Sequence, residues 1–162
     1  MEQIEILKII EEAFRDRPYP GDNHLASLEP PVSFEYSDVT KYFKGKHWKE
    51  ITWKSLEKDY PGEACSCLCF MTPEAARFYL PAYMVIAINN YDEADVVAST
   101  ALNFLLPPPS FSMTWWKERV SLFSQNEKKA IVAFLEYLKE KHGDDYPVCG
   151  PKEALEYWVN SI

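Results

Sequence analysis

The stretch TPEAARFYLPAYMVIAIN, residues 72–89, constrains what this chain can fold into more than any other. It carries helical apolar spacing on both sides of a proline, Pro81. At about 100° per residue, Ala75, Phe78, Tyr79, Ala82 and Ile86 share one face, flanked by Tyr83, Val85 and Asn89. The start is well marked. Thr72 supplies a hydroxyl for an unused backbone N–H, Pro73 loses nothing at the first helical position, and Glu74 complements the positive end of the dipole. The periodicity crosses Pro81 without a change of phase, whereas a helix ending at Leu80 leaves YMVIAI with no start signal. The pattern predicts one continuous helix kinked at Pro81, with a break and restart as the alternative. Pro81 has no N–H, so the carbonyl of Arg77 loses its intrahelical donor, at a cost of about 3 kcal/mol unless another donor serves it. Glu74, Arg77 and Pro81 fall on one side of this helix. Either they frame a small polar notch, or the kink serves only to fit neighbouring helices.

The rest of the chain reads as further helices around this one. Ile6, Ile9, Ile10, Ala13 and Phe14 form an apolar face over 3–15, and Tyr19-Pro20-Gly21-Asp22 is a turn by composition. Residues 23–35, with Pro30 and Pro31, read as an extended loop. Ser37 is a cap for 38–44, closed by Gly45, and Thr52 a cap for 53–59. Residues 64–70 lack a helical period and read as a short extended segment. Asp92 is placed to cap a helix over 93–105, ended by Pro107-Pro108-Pro109, and Thr114 to open one over 115–122. Ser124 and Glu127 make a capping box ahead of Ile131, Phe134, Leu135 and Leu138, with Gly143 as the stop. Gly150-Pro151 starts a last helix with Leu155, Trp158, Val159 and Ile162 on one face. Seven or eight helices with almost no strand signal predict an all-α fold. With 162 residues, 47% of them hydrophobic, the expectation is one compact domain around the proline-kinked helix.

Charge and composition exclude several classes. The formal net charge of −8 repels phosphate backbones, so nucleic acid is not expected as a partner. No apolar run is long enough to span a bilayer, and MEQIEILKIIEEAF lacks the basic and apolar regions of a signal peptide. Four cysteines without an export signal point to reduced thiols in a cytoplasm. No G-x-G-x-x-G is present, and no cofactor is expected.

Several blocks recur in a familiar order: Tyr19-Pro20-Gly21-Asp22, Phe43-Lys44-Gly45-Lys46-His47-Trp48, Phe70-Met71-Thr72-Pro73-Glu74-Ala75 and Tyr79-Leu80-Pro81-Ala82-Tyr83. Together they resemble a bacterial family of small proteins of unknown function, marked by a YPGD turn, a G-K-x-W element and a T-P-E-A…YLPAY helix. Phe78-Tyr79, where the family pattern has two tyrosines, and the cysteine-rich segment before Phe70 depart from that pattern. The resemblance implies a relative and supplies no activity.

The candidate binding residues fall in two groups. The first is the notch, with Asp22, Glu74, Arg77, Tyr79 and Tyr83, and with Trp48 in the basic stretch Lys41 to Lys49. Asp22 either caps nearby N–H groups or pairs with Arg77 or Lys46. The second is Trp115-Trp116, with Phe111 and Met113. Adjacent helical residues point about 100° apart, so one indole is expected outside the core, as an aromatic contact surface, unless both pack under the prolines. Cys65, Cys67 and Cys69 would share one side of a strand, and Cys149 or His47 would complete a zinc set, but C-x-C-x-C lacks the usual ligand spacing and no metal is expected. The leading expectation is a non-enzymatic module that binds another protein, with an inhibitor or immunity role against a basic partner consistent with the charge. The alternative is an enzyme or small-ligand binder using the notch.

Overall fold

The computed structural model describes residues 1–26, 34–109 and 112–162. Pro30, Pro31 and Phe111, and so most of the expected 23–35 loop, lie outside the described residues. Among the described residues every regular element is helical, and a single antiparallel bridge pairs Ala26 with Met71. In chain order the helices are α1 (Gln3–Phe14), α2 (Phe34–Phe43), α3 (Trp53–Asp59), α4 (Cys67–Phe70), α5 (Pro73–Asn89), α6 (Tyr91–Ala94), α7 (Thr100–Leu105), α8 (Met113–Val120), α9 (Gln125–His142) and α10 (Pro151–Trp158). The excess over the expected seven or eight comes from α4 and α6, each a single turn. The chain divides into two compact units, Arg17–Thr100 and Met1–Asp16 with Ala101–Ile162.

The Arg17–Thr100 unit is built on α5. This helix runs unbroken for 17 residues through Pro81, and Thr72 caps it by accepting from the Ala75 N–H at 3.2 Å. Twelve of its residues are buried, including Ala76, Leu80, Pro81, Met84 and Ile88. Burial is therefore nearly all round, as for a helix apolar on every side, and not confined to the expected face. Gly45 closes α2 at φ +70°, a left-handed conformation that glycine adopts without strain. The helix already starts at Phe34, however, so Ser37 sits inside it and is no cap. Thr52 caps α3 as expected, exchanging bonds with Ser55 at 3.2 and 3.0 Å.

Two further expectations fail. The segment 64–70 is a 3-10 turn over Ala64–Ser66 followed by α4, and is not extended. The helix expected over 93–105 is broken into α6, a 3-10 turn over Asp95–Val97, and α7, with Asp92 inside α6. The break falls at Asp95, whose φ of +46° with ψ −124° is a conformation that L residues avoid.

In the other unit, α1 lays Ile6, Ile10 and Phe14 against α9, which buries Ala130, Ile131, Phe134, Leu135 and Leu138. The capping box holds, with the Ser124 N–H donating to Glu127 Oε2 at 2.6 Å. α10 also packs on α9, through Pro151, Ala154 and Trp158. Its chain tightens into a 3-10 turn over Val159–Ser161, so the 100° spacing stops at Trp158. Val159 and Ile162, expected on the buried face, are about half exposed.

The end of α7 shows why two tryptophans are fixed here. The last carbonyls of a helix need donors from beyond its end, but beyond α7 the Leu106 N–H goes to the Leu102 carbonyl at 2.9 Å, and Pro107-Pro108-Pro109 that follow have no N–H groups. The buried indole N–H groups of Trp116 and Trp158 donate instead to the carbonyls of Phe104 and Leu105, each at 2.8 Å.

Two stability changes follow. Trp116→Phe leaves the Phe104 carbonyl buried without its donor and should cost about 1–3 kcal/mol in urea unfolding, whereas Trp115→Phe should stay within about 0.5 kcal/mol. Equal effects would contradict the assignment. Asp95→Gly relieves the positive φ and should raise stability by about 1 kcal/mol; an unchanged or lower urea midpoint would show that Asp95 is not strained.

Candidate functional site

A groove of about 490 Å³ opens at the first turns of α5. Thr72, Glu74, Arg77 and Phe78 form one side, at helical spacing along a rigid element. Arg17, Pro18, Tyr19, Pro20 and His24 form the other, on the chain leading into a 3-10 turn over Asp22–His24. This second wall is clipped to the helix. The Thr72 hydroxyl donates to the His24 carbonyl at 2.7 Å, and the Thr72 N–H donates to the Leu25 carbonyl at 3.1 Å. The Tyr19 ring meets Phe78 edge to face, 5.8 Å between centroids. Gly21 makes the turn at φ +94°.

The three sequence blocks converge behind this wall. Tyr19 donates its hydroxyl to Asp22 Oδ1 at 2.6 Å and accepts from the Gly45 N–H at 2.8 Å. Asp22 also faces Lys44 Nζ at 3.9 Å, an exposed pair worth little by itself. The sequence places Asp22 as a cap for nearby N–H groups or as a partner of Arg77 or Lys46; the Tyr19 hydroxyl and Lys44 meet its carboxylate. The Tyr79 hydroxyl reaches the carbonyls of Lys46 at 2.7 Å and Phe43 at 3.0 Å, tying the end of α2 to α5. His47 packs its ring edge-on to Phe78 at 5.3 Å. Burial, with the charge of Lys49 next, lowers its pKa, consistent with Nδ1 accepting from the Lys49 N–H at 3.2 Å.

A family profile matches residues 2–162 of this sequence. The chain belongs to DUF6714, a family of unknown function. No curated protein and no solved structure matches it.

Of the residues that the sequence singles out in this DUF6714 chain, Glu74 and Arg77 line the groove and Asp22 braces its wall. The others do not join them. Pro81 is buried and the groove lies one to two turns before it, so the proline does not frame the notch. Tyr79 is fully buried as a strut. Tyr83 is equally buried and donates to the Ala64 carbonyl at 3.1 Å, away from the groove. Trp48 is 4% exposed, and its indole N–H meets no acceptor among the described residues. Trp48 edges a separate cavity of about 110 Å³ with Ile51, Trp53 and Ala82 rather than the groove, while the rings of Tyr79 and Tyr83 are claimed by the core. Trp116 is core for the same reason, whereas Trp115 is 38% exposed beneath the Arg119 guanidinium, 3.9 Å from its ring centre. Sequence reasoning missed Arg17, Tyr19, His24 and Phe78 as groove residues. Only the turn chemistry of Tyr19–Asp22 hinted at a fixed loop there.

The cysteines do not share a face. Because 65–70 is helical, Cys67 is buried while Cys69 is exposed and Cys65 lies between these extremes. Among the described residues no group of three or more His, Cys, Asp or Glu is arranged to hold a metal ion. No helix of the described residues is long and apolar enough to cross a membrane. Burial pushes the Cys67 thiol from 9.0 up to about 11, against the hydroxyls of Tyr60 and Tyr83 that contact it. Burial likewise holds the phenols of Tyr60, Tyr79 and Tyr83 well above their usual range.

Alkali should therefore unfold the protein. The folded state keeps the Cys67 proton that the unfolded chain releases, so stability is intact below pH 9 and falls as pH rises toward 11. The thiol alone contributes roughly 2–3 kcal/mol to that loss, and the buried phenols extend it above pH 10. Urea midpoints measured from pH 7 to 11 should drop, less steeply in Cys67→Ala. A flat profile to pH 10.5 would contradict the burial of these groups.

Proposed function

We propose that this protein is a non-enzymatic protein-interaction module of the cytoplasm, and that it engages its partner through the groove at the start of α5. One observation supports the reading most directly: the YPGD turn, the G-K-x-W element and the T-P-E-A helix all brace or line one concavity. The hydroxyls in that concavity are spent on structure. Thr72 is committed to the His24 carbonyl and the Ala75 N–H, and Tyr19 to Asp22 and Gly45. A nucleophile needs its hydroxyl against a base, so this arrangement favours binding over catalysis. The net charge of −8 suits a partner of opposite overall charge, as an inhibitor or immunity role would require. The groove's size also falls in the range of small-molecule sites, which favours a small organic ligand as the second reading.

The test is a photo-cross-link in the cells that the gene comes from. With p-benzoylphenylalanine at His24, an exposed groove position, irradiation should give one protein adduct of defined mass. The same residue at Lys129, exposed in the other unit, should not. The absence of an adduct at 24, or the same adducts at both positions, overturns the protein-binding reading.

A further inference from the structure

We infer that the unit made of Met1–Asp16 and Ala101–Ile162 carries an anion site between Lys117 and Lys128, and that it takes a phosphate dianion, free or as a monoester. The site is separate from the groove and does not rest on its reading. A cavity of about 300 Å³ opens there, with Lys117 from α8, Lys128 from the start of α9, Tyr157 from α10, and Ser121 and Ser161 from the turns after α8 and α10. Lys117 is exposed, and no hydrogen bond or ion pair engages its ammonium among the described residues. The Lys128 ammonium donates to the Ser161 carbonyl at 2.9 Å. That oxygen carries no net charge, so the bond fixes the ammonium without neutralising it and leaves two of its three N–H groups. No carboxylate lines the cavity among the described residues. Glu118 and Glu156 follow or precede lining residues but lie about 100° round their helices, and neither lysine has an acid three or four positions away.

The donors narrow the chemistry. Ser121 gives its proton to the Glu118 carbonyl at 3.0 Å and Ser161 to the Trp158 carbonyl at 2.8 Å. What remains is two ammonium groups and the Tyr157 hydroxyl, which no hydrogen bond engages among the described residues. The Tyr157 ring is held edge-on to Trp116 and Trp158, with centroids 4.6 and 5.8 Å away, so its hydroxyl is presented from a fixed base. Two positive charges without an acid reward a dianion at both ends, whereas a monoanion leaves one charge uncompensated. An ammonium is a point charge with rotatable donors, which suits a tetrahedral oxyanion; a planar carboxylate is better matched by a guanidinium fork. The volume leaves room for a small organic body on the phosphate. The net charge of −8 does not forbid this, because its field is screened beyond about 8 Å at physiological salt while contacts inside the cavity are not.

The experiment titrates the 162-residue chain by calorimetry with phenyl phosphate, inorganic phosphate and benzoate, at about pH 7.5, where a phosphomonoester is a dianion. Phenyl phosphate should bind at least about tenfold more tightly than benzoate. Inorganic phosphate should compete with it: equal affinity marks the free ion as the ligand, and weaker affinity marks a monoester. Lys117→Gln and Lys128→Gln should each weaken binding about tenfold, and Lys117, being exposed, serves if the other variant does not fold. Lys129→Gln removes the same charge from an exposed position on α9 and should change affinity about twofold at most. The amide NMR signals of Ser121, Lys128 and Ser161 should shift on titration, and those of Thr72 and Arg77 in the groove should not. No binding at about 10 mM phenyl phosphate, equal binding of benzoate, lysine variants that bind like the parent, or shifts confined to the groove would each overturn the inference.

Discussion

Hydrogen-bond donors at helix ends are the scarce resource in this fold. A short helix leaves its last carbonyls unserved, and a chain of short helices multiplies them. Twelve prolines reduce the backbone donors available further. The aromatic residues make up the difference. Trp116 and Trp158 serve the end of α7, Tyr79 serves the end of α2 and the turn after it, and Tyr83 serves Ala64. Each puts an apolar ring into the core and a polar tip onto a carbonyl. The high aromatic content and the high proline content are thus two sides of one solution.

The same device places the groove. Phe78 and Tyr79 are adjacent on α5 and point about 100° apart. Tyr79 goes inward to the end of α2, which leaves Phe78 at the groove, where it meets Tyr19 and His47 edge to face. Tyr19 in turn holds Gly45, the residue that closes α2. The wall of the groove and the terminus of α2 are therefore one hydrogen-bonded assembly.

Much of this was legible in the sequence. Capping signals are local, and Thr52, Thr72 and Ser124 act as their spacing predicts, whereas Ser37, Asp92 and Thr114, also placed as helix starts, lie inside α2, α6 and α8. The passage of α5 through Pro81 follows from the unbroken apolar phase. What the sequence hid was set by contacts across the chain. A one-face wheel understates α5, because neighbours cover nearly every side of it. The cysteine segment turns helical against α2 and α5, where no local period demanded it. The notch is displaced from Pro81 to the first turn because the loop that builds it is pinned at Thr72 by residues some 48 positions away. Arg17 and His24 carry no motif of their own, so only the pinned loop reveals them.

That pinning bears on how the groove must work. Both walls are held before anything arrives, one on a rigid helix and one by bonds from Thr72 and Gly45. Little entropy remains for the protein to lose on contact, so the ordering cost falls on the incoming segment. Such a site discriminates among occupants by how long they stay rather than by how fast they enter.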